Sequence, residues 1–339
     1  MVVRQEVYDH LGATIYDSPY VRPVVGGNAE GQLHRLHLAD CMTAIRCVCV
    51  ARDEADVLSH AFDSALRWAN SIYVLDNGST DGTWELVNDY AARYEQVVVV
   101  GRVTGPFSGS LRSDVVNSVL HDARKGDWWC RLDADELYVD DPRDFLGSMK
   151  PWEKTVWAAS IQYYFTDVDL AAYERDPAEY VERWKPELLR FYRANWSEPR
   201  FVRHVPQAKW AGEWPEDFRR MRASRRRIRL RHYQYRSPPQ IQHRLALRIS
   251  HPTRFPHERT GGWLSWTGLE YNQLAFSAVA QSDPSDWRSR VLRAQGLDYD
   301  DGSGSYRVDW GSLPRVRGSA SFLDKGVAAG RRRWRRIVG

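Results

Sequence analysis

Asp133 and Asp135 stand two residues apart at the end of a short apolar run, residues 128–132 (WWCRL). Two carboxylates at that spacing, released at the lip of a strand, can hold one hard divalent cation against diphosphate oxygens. The spacing alone is common. With 28 Asp in 339 residues, chance gives roughly two such triplets, and the chain has three, the others at Asp167/Asp169 and Asp298/Asp300. Asp76 ends a second apolar run and opens LDNGSTDGT. A carboxylate there could accept the imide N–H of uracil or an amino group of another base; the alternative is a turn whose Ser, Thr and Asp cap the next helix. Arg112, early in a helix-like stretch, could pair with phosphate in a bidentate way.

The elements that must position these groups follow from periodicity. Residues 44–51 (AIRCVCVA), 71–76, 97–101 and 128–132 are apolar runs of strand length. Between them, residues 54–70 place Val57, Leu58, Ala61, Phe62, Ala65, Leu66 and Ala69 at helical spacing, and helices are predicted over 84–94 and 110–124. Strands alternating with helices give a parallel sheet in an α/β fold, whose ligands bind beyond the carboxyl ends of the strands. Asp133/Asp135 is the one triplet that closes this series. Three of the four strand ends carry polar, acid-containing groups: Arg52-Asp53-Glu54, Asp76-Asn77, and Asp133 with Asp135. Residues 1–42 read as an extension. After residue 150 the chain is more strand-rich and aromatic, with strand-like RIRLRHYQYR and helical patterns over 239–249 and 268–281.

A 43% hydrophobic content supports a sizeable core, and 27% charged residues with no apolar run near 18 residues predicts no membrane-spanning helix. No charged-then-apolar leader opens the sequence. Four cysteines (Cys41, Cys47, Cys49, Cys130) without a CxxC pair read as reduced thiols of a cytoplasmic protein. Basic residues are 42 Arg and 6 Lys, yet the net charge is only +4, and no recognition motif accompanies them, so no nucleic-acid partner is expected. The charge is segregated: nine Arg fall within 219–236, and the tail carries RRRWRR at 331–336. With Trp334, Ile337 and Val338 among those charges, peripheral attachment to an anionic membrane is the expectation, set against a disordered tail.

The order ARDEADVL, IYVLDNGSTDGT, an arginine-led helix, then WWCRLDADE resembles family 2-type glycosyltransferases of the GT-A fold over residues 43–145, and more loosely to 236. The resemblance implies a Rossmann-like, mostly parallel sheet flanked by helices, with a mixed, more helical C-terminal extension. It divides the chain into an extension (1–42), a transferase domain (43–236, its nucleotide-sugar half 43–145 and acceptor half 146–236) and a helical C-terminal region (237–339). It also implies a nucleotide-sugar donor, with uracil favoured through Asp76, and Mn²⁺ or Mg²⁺. Arg52, Asp53 and Glu54 would line the nucleoside pocket, Asp76 with Asn77 would read the base, and Arg112 would meet phosphate. Asp133, Ala134 and Asp135 would serve ribose, diphosphate and metal.

Further along, Trp214-Pro215-Glu216-Asp217 resembles the acidic helix start that carries the family's base, 82 positions after Asp135. Asp217 is then the expected base, beside Glu216, with Glu213 as second choice. His232, ending RIRLRH, would complete the metal shell as a neutral imidazole. The sequence departs from the family at Ala51-Arg52, where many members carry an aromatic residue, and lacks the later QxxRW. The expected activity is metal-dependent hexosyl transfer from a UDP-sugar to a hydroxyl of a small-molecule, glycan or lipid-linked acceptor, with inversion. One alternative is a sugar-nucleotide pyrophosphorylase, whose Gly-rich phosphate loop ARDEADVL does not supply. Another is a non-catalytic nucleotide or carbohydrate-binding protein that keeps the fold.

Overall fold

The first apolar run forms β1 (Ile45–Ala51), and its alternation feeds two cores: Cys47, Cys49 and Ala51 on one side, Val48 and Val50 on the other. A strand buried on both faces needs no polar alternation, which is why the run reads as continuous. The computed structural model describes residues 43–249, 283, 285–313 and 316. The helical pattern at 268–281, the first 42 residues with Cys41, and the basic tail lie outside the described residues.

After β1 the chain continues through α1 (Leu58–Ala65), β2 (Ser71–Asp76), α2 (Thr83–Arg93), β3 (Val97–Arg102), α3 (Ser110–Ser118) and β4 (Trp128–Arg131). The βαβ alternation is therefore as expected, with two helices shorter than predicted. Residues 54–57 form turns ahead of α1, directing Glu54 and Asp56 at Arg236 instead of extending the helix. In α3 the β-branched Val115 and Val116 precede Val119, whose φ of −119° ends the helix, and a 3₁₀ turn (Leu120–Asp122) follows.

Beyond come β5 (Glu136–Tyr138), α4 (Pro142–Gly147), β6 (Thr155–Tyr163), α5 (Asp167–Arg175), α6 (Pro177–Glu182), β7 (Phe191–Arg203), β8 (Trp210–Ala211), β9 (Trp214–Pro215), β10 (Ala223–His232), α7 (Pro238–Ile249) and β11 (Asp298–Tyr299). One nine-stranded sheet has the order β3-β2-β1-β4-β7-β6-β10-β5, with β11 paired to β7. Pairs β1–β2, β1–β4, β2–β3 and β6–β10 are parallel; β7 runs antiparallel to β4 and β6. The ends of β1, β2 and β4 thus open on one edge of the sheet.

Phe62, Trp128 and Phe201 fill one core, Tyr73, Val115 and Trp129 a second, and Tyr163, Tyr192, Tyr233, Ile241 and Leu245 a third. Each such side chain contributes about 1.5–3 kcal/mol when fully buried. Cys47, Cys49 and Cys130 are buried and free, and burial pushes the Cys47 and Cys49 thiols up. Among the described residues, no helix is long and apolar enough to cross a membrane.

Candidate active site

Asp76 closes β2 and is fully buried. Its Oδ1 accepts from the Gly78 and Ser79 amides at 3.0 and 3.1 Å and forms an ion pair with Arg102 Nε at 2.9 Å. Gly78, at φ +76°, permits the tight turn that returns both amides. The capping turn and the base-reading carboxylate are therefore compatible, because the turn uses one oxygen only. Oδ2 is buried without a partner, and so is Oδ1 of Asn77, whose Nδ2 donates to the Gly105 carbonyl. A buried acceptor left unpaired costs about 1–3 kcal/mol, so a ligand N–H at this corner gains what the protein has not satisfied.

Beside it, Asp53 holds a left-handed backbone (φ +53°). Its Oδ1 accepts from the Thr80 amide at 2.7 Å, and Oδ2 lies 2.8 Å from His243 Nε2 and 3.6 Å from Arg52. Burial would raise the Asp53 carboxyl, but these bonds outweigh it and lower it. Arg52 also donates to Gly105. Arg52, Asp53, Asp76 and Asn77 thus meet in one corner, as the sequence suggested.

At the end of β4 the two aspartates part company. Asp133 is enclosed by guanidinium groups: Arg112 Nη2 at 2.6 Å, Arg131 Nη2 at 2.8 Å and Arg200 Nη2 at 3.6 Å. Arg131 and Arg200 also hold Glu198, at 3.2 and 2.8 Å, and Arg200 grips Glu136. Burial alone would raise these acids. Arg131, Arg112 and Arg200 instead hold Asp133 well below the ordinary range, while Arg200 and Arg131 bring Glu198 down to about 2. Both oxygens of Asp133 accept from guanidinium groups, and it orients these arginines. Arg112, expected at phosphate, bridges Asp133 and Glu213. Ala134 is buried between the two aspartates.

Asp135 is the more deeply buried of the two, and its ion pairs with His232 and Arg244 fall on Oδ2. His232 ends β10 with Nε2 3.3 Å from Asp135 Oδ2, and Arg244 of α7 has Nη1 3.4 Å from the same atom. Against burial, Asp135 raises the His232 imidazole while its own carboxyl is lowered. Glu54 lies next to them, accepting from Arg236 at 2.6 Å and Arg244 at 3.2 Å. Among the described residues, no group of three His, Cys, Asp or Glu side chains is arranged to hold a metal ion. The expected triad reduces to two donors, Asp135 and His232. Two donors suit a hard cation that takes the rest of its shell from phosphate oxygens and water.

The predicted acidic helix is absent. Residues 210–215 form the β8–β9 hairpin, and Phe218–Arg220 is a single 3₁₀ turn, since β10 begins at Ala223 and leaves no room for a helix. Glu216 and Asp217 are exposed. Glu213 is brought in: the hairpin turns at Gly212 (φ +72°), and Glu213 reaches Arg112 at 3.4 Å and Arg131 at 3.6 Å. Gly109 makes room for it, since a Cβ there would stand 2.5 Å from Glu213 Cγ. Trp214 stacks on Phe218 with centroids 4.8 Å apart.

Sequence reasoning missed Arg131, Glu198, Arg200, Arg236, His243 and Arg244. The nearest signal was Arg236 in RSPPQ, two residues before the helix that Pro238 opens.

Residues 47–203, from β1 to the end of β7, match the family model for Glycosyl transferase family 2. No curated protein matches the chain. Similar solved structures include GalNAc-T7 with UDP, GalNAc and Mn²⁺ (14% identity over 38% of this chain, TM-score 0.26). S. aureus TarS 1–349 shows 10% identity over 63% of this chain and 68% of that one, with a TM-score of 0.29. A mycobacterial protein shows 14% identity over 78% and 85%, with a TM-score of 0.28. The likeness spans only 24% of the GalNAc-T7 chain. The acidic ends of β1, β2 and β4, gathered at one edge of the mixed sheet, lie within the stretch that is similar to glycosyl transferase family 2, and that stretch folds as part of an α/β domain.

Proposed function

We propose that the protein transfers a hexosyl group from a UDP-sugar to a hydroxyl-bearing acceptor, with inversion at the anomeric carbon. The observation that carries this reading is the buried, unpartnered Oδ2 of Asp76 at a strand end, on the same sheet edge as the Asp135–His232 pair. Uracil N3–H would donate to Asp76 Oδ2, and Asp53 and Arg52 would border the nucleoside. Asp135 and His232 would hold Mn²⁺ or Mg²⁺, which supplies charge neutralisation of the diphosphate when bound.

Glu213 replaces Asp217 as the proposed base. In a single displacement the acceptor oxygen bonds to the anomeric carbon and its proton passes to Glu213. The carbon–oxygen bond to phosphate breaks, and its electron pair stays on the diphosphate. Arg112 and Arg131, fixed by Asp133, orient the Glu213 carboxylate. Trp214 and Phe218 offer aromatic surface next to it for an acceptor sugar. The basic tail supports a peripheral membrane location, which sedimentation with phosphatidylserine vesicles would test.

Calorimetric titration with UDP, with and without Mn²⁺, tests the donor reading, and release of UDP from UDP-glucose or UDP-GalNAc separates enzyme from binder. Failure to bind any nucleoside diphosphate overturns the proposal. Binding of UDP without turnover of any donor favours the non-catalytic alternative, and pyrophosphate-dependent formation of UTP favours a pyrophosphorylase.

A further inference from the structure

The family match ends at residue 203, yet α7 lays two consecutive side chains onto the acids at the ends of β1 and β4. His243 meets Asp53, and Arg244 meets Glu54 and Asp135. We propose that Arg244 binds the donor's diphosphate directly and stabilises it as it departs; this rests on the donor reading above.

Arg131, Arg200, Arg229 and Arg236 each lay the side-on edge, Nε with Nη2, against one carboxylate: Asp133, Glu136, Asp140 and Asp56 respectively. That is the arrangement of a structural latch. Arg244 departs from it. Its two contacts, at 3.2 and 3.4 Å, are both made by Nη1. Its Nε is buried without a partner, and its Nη2 makes no bond among the described residues. The edge that four neighbouring arginines commit to a carboxylate is uncommitted here. A side-on guanidinium edge matches two oxygens of a phosphate as well as it matches a carboxylate.

The backbone behind Arg244 is fixed. Ile241 and Leu245 on the same helix are fully buried in the aromatic core. Arg236, also fully buried, ties the helix start to Glu54 and Asp56 and donates its amide to Gln240. A guanidinium held in this way needs little ordering when it meets its ligand, and that concentrates its effect on the developing charge. As the glycosidic bond breaks, the diphosphate gains a negative charge. Arg244 meets that charge from the α7 side, with Asp135 and His232 on the other.

The test is calorimetry with uridine and UDP on the wild-type protein, Arg244→Gln and Arg244→Lys, in Mn²⁺ and again in chelator, with melting curves for each variant. The wild type should bind UDP more tightly than uridine. Arg244→Gln should weaken UDP by about 10- to 100-fold, the worth of a charge-assisted bidentate contact, in both buffers, and leave uridine unchanged. Arg244→Lys keeps the charge without the edge and should recover only part of the loss; it also serves if the Gln variant does not fold. Equal loss for uridine and UDP, no loss for either, or full recovery by Lys would overturn the proposal. A wild type that binds neither UDP nor any other nucleoside diphosphate would overturn the donor reading instead.

Discussion

Replacing Asp76 by asparagine changes one atom at a fully buried position and should change which base the site prefers. The Gly78 and Ser79 amides both point at Oδ1, so the amide oxygen of the introduced side chain must take that place. The amide NH₂ then occupies the position of the unpartnered Oδ2. Facing uracil, it sets a donor against the N3–H donor and removes a charged acceptor, a loss of about 2 kcal/mol, or about 30-fold in UDP affinity. Facing cytosine, whose N3 is an acceptor, the same group gains a neutral hydrogen bond of about 1 kcal/mol, or about 5-fold. The preference for UDP over CDP should therefore fall by about two orders of magnitude. The fold should persist, because the two amide bonds remain and Arg102, with 28% of its side chain exposed, is left in contact with water when the charge opposite it is removed. Titration of both nucleotides into both proteins, with a melting curve for each, is the assay. If the folded Asp76→Asn variant loses UDP and CDP equally, or neither, Asp76 does not read the base and the reasoning fails.

Asp135→Asn and His232→Gln should each weaken Mn²⁺ activation, by about 10- to 100-fold for the histidine, read as the Mn²⁺ concentration giving half-maximal turnover. Glu213→Gln should lower kcat by about 10²- to 10⁴-fold with UDP affinity retained, whereas Asp217→Asn should leave kcat within about 2-fold; the reverse pattern would restore Asp217 as the base. Gly109→Ala should resemble Glu213→Gln in kcat, since the new Cβ displaces that side chain, while the melting temperature stays near that of the wild type. For pH, the Glu198 carboxyl is depressed in the folded state from its ordinary 4.5 to about 2. Its stabilising contribution is thus fully present above about pH 4.5 and is lost as pH falls toward 2. Acid titration of Glu198→Gln, followed by circular dichroism, should show a shallower loss of stability across that window than the wild type.

Much of the fold was legible because it is written in local periodicity. The four strands and three helices before residue 132 each carry an apolar run or stripe that no other element could use, and Asp53, Asp76 and Asp135 fall where those strands end. What sequence could not convey was pairing across distance. Asp133 and Asp135 are equivalent on paper, and only the folded chain shows Arg112 and Arg200 converging on the first. The acidic helix at 214–217 was misread because Pro215 followed by two acids is a helix-start signature, while the early start of β10 that forbids the helix is a long-range fact. Arg244 stood in the sequence as one of 42 arginines; what marks it is an unused guanidinium edge beside Glu54 and Asp135, which no pattern encodes.

Arg236 joins Asp56 across 180 positions, and His243 joins Asp53 across 190. Contacts of such separation form late, because the loop they close must be ordered before they reward it. During synthesis, β1 through β4 emerge with Arg52, Arg102, Arg112 and Arg131 already at hand for Asp53, Asp76 and Asp133. Glu54, Asp56 and Asp135 find their cations only when His232, Arg236 and α7 arrive. A chain stopped at residue 203, where the family match ends, would carry Glu54, Asp56 and Asp135 without the Arg236 and Arg244 charges that they meet in the fold. Completion of the candidate site is thereby coupled to delivery of the segment from His232 through α7, so a chain cut before it lacks the pairs that order Glu54 and Asp135.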